Sequence, residues 1–112
     1  MKVRSDAVRC QMEVLGVLAR HIPTRLIEIS RSGCLLETGH RIEEGTVGAL
    51  RLEVRGQIYS EDVRATRCTA VAGSGANYLV GVEFLRTERP EATSIRRAVS
   101  NVLQGLNGAW LG

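Results

Sequence analysis

The sequence predicts a small, mainly β protein, in which a closed or nearly closed antiparallel barrel is followed by one C-terminal α-helix. Three observations favour this fold class. Short stretches of alternating apolar and polar residues recur from Val8 to Leu85. Turn signals rich in Gly, Ser and Asn separate these stretches, which is typical of strands joined by hairpins. After them, the apolar spacing changes to that of an amphipathic helix.

The size of the chain indicates a single folded domain. It has 112 residues, and 44% of them are hydrophobic, which is enough for a core. We expect a flexible arm at 1–7, the barrel with its helix at 8–104 and a tail at 105–112. The longest apolar run, Val14–Ala19, is far shorter than the roughly 20 residues that cross a bilayer, and no secretory signal precedes it. A soluble, cytoplasmic protein with no membrane partner is expected.

The first half of the chain contains three predicted strands, at 8–19, 25–29 and 34–38. Pro23 is expected in the connection between the first two, because proline cannot donate to a β-ladder and marks a strand end. The second and third strands flank the turn Ser30–Gly33, since aliphatic residues surround a Ser-Arg-Ser-Gly sequence. Gly33 is expected to adopt a positive φ, which glycine reaches without steric cost.

The second half contains shorter alternating segments and then the helix. The segments lie at 46–54, 57–59, 62–71 and 78–85. Arg55-Gly56 is a natural two-residue hairpin turn, and 72–77 is a loop rich in Gly, Ser and Asn. Apolar residues with the spacing of one helix face follow, at Ile95, Val99, Val102, Leu103 and Leu106. The helix is therefore predicted over 90–106, with Pro90 near its start and Gly105 or Gly108 at its end.

Patterns for catalysis or metal binding are absent from the sequence. Cys10, Cys34 and Cys68 lack zinc-site spacing, and their odd number argues against a disulfide framework. We interpret them as small core residues. His21 and His40 lie in separate polar loops, without a Cys, His or carboxylate at metal-ligand spacing. We therefore expect no enzymatic activity, no metal and no cofactor.

Positive charge is concentrated in the residues that lead up to the turn at Ser30. The formal net charge is +3; residues 1–31 hold six basic and three acidic side chains, and the remainder holds nine of each. Fourteen of the fifteen basic residues are Arg, which suits bidentate contacts with phosphate or guanine. A GC-rich genome would give the same preference for Arg, but not its clustering. The turn, with Ser30, Arg31 and Ser32, is therefore a candidate anion-binding corner.

The turn is part of a longer pattern that resembles the PilZ domain family. Glu28-x-Ser30-x-x-Gly33 resembles the (Asp/Asn)-x-Ser-x-x-Gly motif of that family, with Glu in the first place, and 80–84 (Val-Gly-Val-Glu-Phe) resembles its closing strand. The similarity covers roughly residues 8–104. It implies a six-stranded antiparallel PilZ-like β-barrel with a C-terminal α-helix. Domains of this bacterial signalling family bind cyclic di-GMP in many members.

The second motif of the family, Arg-x-x-x-Arg on the arm before the first strand, is only partly matched. Arg9 matches its second arginine by position, whereas its first would fall at Ser5, and Arg4 lies one residue away. The resemblance and the clustered charge together give six candidate ligand-binding residues: Arg4, Arg9, Glu28, Ser30, Arg31 and Gly33. The sequence thus predicts a non-catalytic receptor for cyclic di-GMP.

Two other functions remain open at this point. A degenerate PilZ-like domain without nucleotide binding would act as a protein-interaction adaptor or homodimer, with the C-terminal helix and Trp110-Leu111 as its contact surface. A general nucleic-acid binder is disfavoured, because only 4% of the residues are aromatic and the net charge is modest.

Overall fold

This computed structural model describes residues 7–73, 75–86, 88 and 90–103 of the chain. These residues contain seven β-strands and one α-helix. Their bounds are β1 Val8–Arg9, β2 Leu15–Leu18, β3 Ile22–Ile29, β4 Gly33–Thr38, β5 Val47–Val54, β6 Gln57–Ala70, β7 Tyr78–Phe84 and α1 Ile95–Leu103.

Six of these strands close into an antiparallel barrel. Their order is β3-β2-β5-β6-β7-β4, and β4 pairs again with β3 to complete the circuit. Each of the six therefore has a partner on both sides, which removes the open edges of a flat sheet. The two-residue β1 pairs outside this circuit, with the end of β3. The predicted six-stranded antiparallel barrel with a C-terminal helix is confirmed.

The core consists of the inward-facing side chains of the barrel and one face of α1. The largest fully buried side chains are Leu26, Ile29, Leu36, Leu50, Leu52, Ile95, Val14, Val63, Val80 and Val99. Burying one such side chain stabilises the fold by roughly 1.5–3 kcal/mol. Cys34 is buried in this core, and Cys10 and Cys68 pack against it. The interpretation as small core residues is therefore confirmed for Cys34, whereas Cys10 and Cys68 are only partly buried at the margin of the core.

The two ends of the barrel carry different connections, because antiparallel strands place alternate connections at opposite ends. The turn end carries the connections at 30–32 and 55–56 and the start of α1. The loop end carries the connections at 19–21, 39–46 and 71–77. At the turn end, the Phe84 N–H donates to the Ser32 carbonyl (2.9 Å), and the Ser60 N–H donates to the Thr93 carbonyl (2.8 Å). The Ser30–Gly33 turn and the start of the helix thus lie at the same end.

The predicted continuous strand over 8–19 is wrong. The chain pairs with β3 twice, once as β1 and once as β2. Between these pairings, the five residues 10–14 stand against only residues 26–27 of β3, so a regular ladder cannot continue through them. Val14 is nevertheless fully buried, which explains why the apolar alternation runs through the break.

The expectation that Pro23 lies in a connection is also wrong, because it is the second residue of β3. The Leu26 N–H donates to the Val14 carbonyl on the β2 side. Since backbone N–H groups alternate in direction along a strand, the Pro23 nitrogen faces β4 instead. The last pair of β3 with β4 is Thr24 with Thr38. Pro23 therefore lies just beyond that ladder, where its missing donor costs no hydrogen bond.

The segments predicted at 57–59 and 62–71 form one long strand, β6. The apolar alternation is interrupted by Glu61, which points inward and is only 5% exposed. Its carboxylate accepts hydrogen bonds from the Arg96 backbone N–H (3.2 Å) and Nε (3.1 Å). The inward-facing Glu61 interrupts the apolar alternation although the strand itself continues, so the sequence pattern predicted two segments.

The helix predicted over 90–106 begins later, at Ile95. Ser94 precedes it, and its Oγ accepts the Arg97 N–H (3.2 Å), which satisfies one of the unpaired donors of the first turn. Pro90 therefore lies before the helix rather than in its first turn. Residues 104–112, with the predicted helix end and the tail, lie outside the described residues.

Candidate functional site

The Ser30–Gly33 turn is held by hydrogen bonds of its own. The Ser30 N–H donates to the Gly33 carbonyl (2.9 Å). The Ser30 Oγ accepts the Ser32 N–H (3.3 Å) and lies 3.3 Å from both the Gly33 carbonyl oxygen and the Ser32 Oγ. Ser30 is buried, so its hydroxyl fixes the shape of the turn. The turn is the tip of the β3–β4 hairpin of the closed barrel.

Gly33 is needed for a different reason from the one predicted. It is absent from the described residues with positive φ, so the expected left-handed conformation is wrong. Gly33 pairs with Glu83 of β7 and is buried. A Cβ atom at this position would lie 2.0 Å from the Val82 carbonyl oxygen. Glycine is therefore required because β4 and β7 approach too closely for any side chain.

The pairing of β1 with β3 brings Arg9 to this turn. Val8 stands opposite Ile29, and Arg9 stands opposite Glu28. Ile29 is buried in the core and Val8 packs against it, so Arg9 and Glu28 occupy the outer face. Residues directly opposite in an antiparallel pair have Cβ atoms about 4.5–5.5 Å apart. The exposed Arg9 side chain and the half-buried Glu28 side chain therefore leave the backbone at neighbouring positions, with Glu28 two residues before Ser30.

Five of the six predicted site residues thus lie within one hairpin and the strand paired with it. Arg31 is exposed at the tip of the turn, and Arg9 joins from β1. Arg4 and the rest of residues 1–6 lie outside the described residues. The described part of the surface (Arg9, Glu28, Ser30, Arg31 and Gly33) is called the hairpin surface below.

An ion pair that the sequence pattern does not reveal borders the hairpin surface. Glu83 lies next to Gly33 on β7, and Arg64 lies next to Glu83 on β6. The Arg64 Nη1 contacts the Glu83 Oε1 at 3.0 Å. The outward position of Glu83 in an alternating strand was visible in the sequence, but its neighbour depends on the strand order. The pair adds a further guanidinium beside the turn.

A cluster of metal ligands and a membrane-spanning helix are both absent from the described residues. Among them, no group of three or more His, Cys, Asp or Glu side chains is arranged to hold a metal ion. His21 and His40 are both exposed, each in a connection at the loop end. Within the same residues, no helix is long and apolar enough to cross a membrane.

Comparison with known proteins gives one match. The family model of the PilZ domain matches residues 3–101, nearly the whole chain. The matched span includes β1, the hairpin surface, the complete barrel and most of α1. The search of curated proteins and the search of solved structures gave no match.

Proposed function

Because the chain belongs to the PilZ domain family, we propose that it is a non-catalytic receptor for cyclic di-GMP, bound at the hairpin surface. The family is known for binding this nucleotide. The observation that carries the proposal is the register of β1 with β3, which sets Arg9 opposite Glu28 beside the Ser30–Gly33 turn. Arg9 and the turn motif are thereby neighbours in the fold, although about 20 residues separate them in the chain.

The chemistry of the hairpin surface suits a guanine dinucleotide with two phosphates. An arginine donates two parallel hydrogen bonds to a phosphate, or to O6 and N7 of guanine. Arg9 and Arg31 are both exposed and able to reach a ligand in this way. The Glu28 carboxylate accepts hydrogen bonds and is therefore assigned to the N–H donors of a guanine edge. Arg4 supplies the second guanidinium of the arm in this proposal.

Ser30 and Gly33 have supporting roles in the proposal. The Ser30 hydroxyl is engaged within the turn, so it positions Arg31 and the backbone of the turn. Gly33 has no side chain and is buried, so it can offer a ligand at most its backbone. The contact energy is therefore assigned mainly to the arginines, since charge-assisted hydrogen bonds contribute about 1.5–3 kcal/mol each.

The alternative function, a protein-interaction adaptor or homodimer that uses the helix, receives less support. Ile95 and Val99 belong to the predicted apolar face of the helix, and both are fully buried in the core of the barrel. A partner cannot use these two side chains while the helix is docked. Trp110-Leu111, the other part of that predicted contact, lies outside the described residues.

Calorimetric titration with cyclic di-GMP tests the proposal. Arg41→Ala is a matched control for Arg9→Ala, because Arg41 is also exposed but lies at the loop end. We expect wild type and Arg41→Ala to bind equally, and Arg9→Ala to bind about tenfold more weakly or worse. Binding should weaken as salt rises, because the contacts are between exposed charges. Absence of binding by the wild type at about 100 µM ligand would overturn the proposal.

A further inference from the structure

The outer face of β2, β5 and β6 carries exposed hydrophobic side chains. Among the described residues, the large hydrophobic side chains that are exposed are Leu15 (56%), Val47 (56%) and Ile58 (45%). Leu15 of β2 and Ile58 of β6 flank Glu53 of β5 in one row, whereas Val47 lies six residues from Glu53 along β5. Single exposed hydrophobic residues are common on any protein, and it is the position of Leu15 and Ile58 beside charged residues that points to an interaction surface.

The strand register arranges this face in two rows across the strands. Val17 of β2 pairs with Arg51 of β5, which pairs with Ser60 of β6. The next row of outward-facing residues along the strands is centred on Glu53 of β5, which pairs with Ile58 of β6. On its other side lies Leu15 of β2, since the neighbouring pair is Gly16 with Leu52. Each row thus has one charged residue at its centre, Arg51 in one and Glu53 in the other.

A groove of about 570 Å³ runs over these rows and is lined by residues of both, with Leu15, Val17 and Ile58 among them. Its charged lining residues are Glu13, Arg20, Arg51, Glu53 and Arg55. Three positive and two negative charges nearly balance. A polyanion would be drawn to a surface of one sign, so the mixed signs favour a partner that carries both.

This chain itself is such a partner, since the two rows are complementary to each other. Consider a two-fold axis that is perpendicular to the strands and lies midway between the two rows. This axis places the Arg51 row of one copy over the Glu53 row of a second copy, and the reverse. Arg51 then faces Glu53 of the second copy, and Glu53 faces its Arg51. Val17 meets Leu15 on the β2 side, and Ser60 meets Ile58 on the β6 side. One symmetric contact therefore forms two ion pairs with apolar contacts beside them on the β2 side, and each residue pair occurs twice, as an isologous interface requires.

We infer that two copies of the chain pair face to face through β2, β5 and β6, centred on Arg51 and Glu53. Sheets packed in this way keep their strands nearly aligned. The face is separate from the hairpin surface, which lies on β1, β3 and β4. Because the two surfaces are separate, dimerisation through this face does not require the nucleotide, and it is tested without any ligand.

Sedimentation equilibrium of the full chain without nucleotide, up to several hundred µM and at low salt, measures this pairing. We expect a monomer–dimer equilibrium for the wild type. Arg51→Glu sets a carboxylate against Glu53 of the second copy, and Glu53→Arg sets two guanidinium groups together. Each single change should weaken association about tenfold or more, because like charges at an interface repel.

The double variant R51E/E53R exchanges the two signs and should restore dimerisation to within about threefold of the wild type. Arg41→Glu, an equal charge reversal at an exposed site of the loop end, should leave association nearly unchanged. Circular dichroism controls for folding, which these exposed positions should not affect. A wild type that is monomeric throughout the range overturns the inference. So does a double variant that associates no better than the single ones.

Discussion

Gly33 and Val82 approach so closely that a Cβ atom on Gly33 would stand 2.0 Å from the Val82 carbonyl oxygen. The contact lies where β4 meets β7, in the ladder that helps to close the barrel. The last position of the turn motif is therefore fixed by strand packing. A residue that sequence comparison assigns to a ligand site is also a requirement of the fold.

Gly33→Ala should destabilise the protein by about 1–3 kcal/mol or more, because the backbone atom that the new methyl meets cannot rotate away. Urea unfolding followed by circular dichroism measures the change. Gly39→Ala is the matched control, since no atom lies within 4 Å of a Cβ built there, and it should change stability by less than about 0.5 kcal/mol. Equal stability of the two variants would contradict the packing argument.

Glu61→Gln should be strongly destabilising, because it leaves the guanidinium of Arg96 without its negatively charged partner in a site where both side chains are nearly buried. Breaking a buried ion pair from one side costs about 3–5 kcal/mol. The neighbouring Asp62 offers a control, since its ion pair with Arg86 is exposed. Asp62→Asn should cost less than about 1 kcal/mol. Comparable losses in the two variants would show that the buried Glu61–Arg96 pair contributes no more than an exposed one.

Much of the fold follows from local sequence signals. Arg55-Gly56 has positive φ at both residues (52° and 80°), as the predicted two-residue hairpin requires. β7 was predicted within one residue, because its apolar alternation is uninterrupted. In each case a short stretch contains all the information that determines its structure.

The differences arise where distant partners decide the structure. The inward position of Glu61 depends on Arg96, which lies 35 residues further along the chain. The need for glycine at position 33 depends on β7, and the tolerance of Pro23 in β3 depends on where its ladder with β4 ends. The hairpin surface was found through a family resemblance. Neither composition nor periodicity pairs Arg9 with Glu28, because that contact is set by the β1–β3 register.

Alkaline pH should destabilise the protein through Cys34. Burial raises the pKa of this thiol well above its ordinary value of 9.0, and the Glu61 carboxylate acts in the same direction. In the unfolded chain the thiol loses its proton near pH 9, whereas the folded protein retains it. The stabilisation is therefore fully present below pH 9 and decreases above it, by at most about 1.4 kcal/mol per pH unit.

Urea unfolding of wild type and Cys34→Ala between pH 7 and pH 10.5 isolates this contribution, since the other alkaline titrations are common to both proteins. The stability of the wild type should fall more steeply above pH 9 than that of the variant. Parallel curves would show that the Cys34 thiol ionises equally in the folded and unfolded states.

Ser30→Ala and Arg9→Ala together should separate the structural role of the Ser30 hydroxyl from the role of the charge at Arg9. The substitution removes the acceptor of the Ser32 N–H at a buried position, which should cost about 1–3 kcal/mol of stability. Arg9→Ala, at an exposed position, should change the free energy of unfolding by less than about 0.5 kcal/mol. Thermal or urea unfolding measures both. A stable Ser30→Ala variant would show that the turn does not need the hydroxyl.

Calorimetric titration of cyclic di-GMP into the full chain tests the central claim most directly, with wild type, Arg9→Ala and Arg41→Ala measured side by side. The proposed receptor function predicts saturable binding to wild type and Arg41→Ala, and binding to Arg9→Ala that is weaker by about tenfold or more. Either no binding by the wild type, or equal affinities for all three proteins, would contradict it.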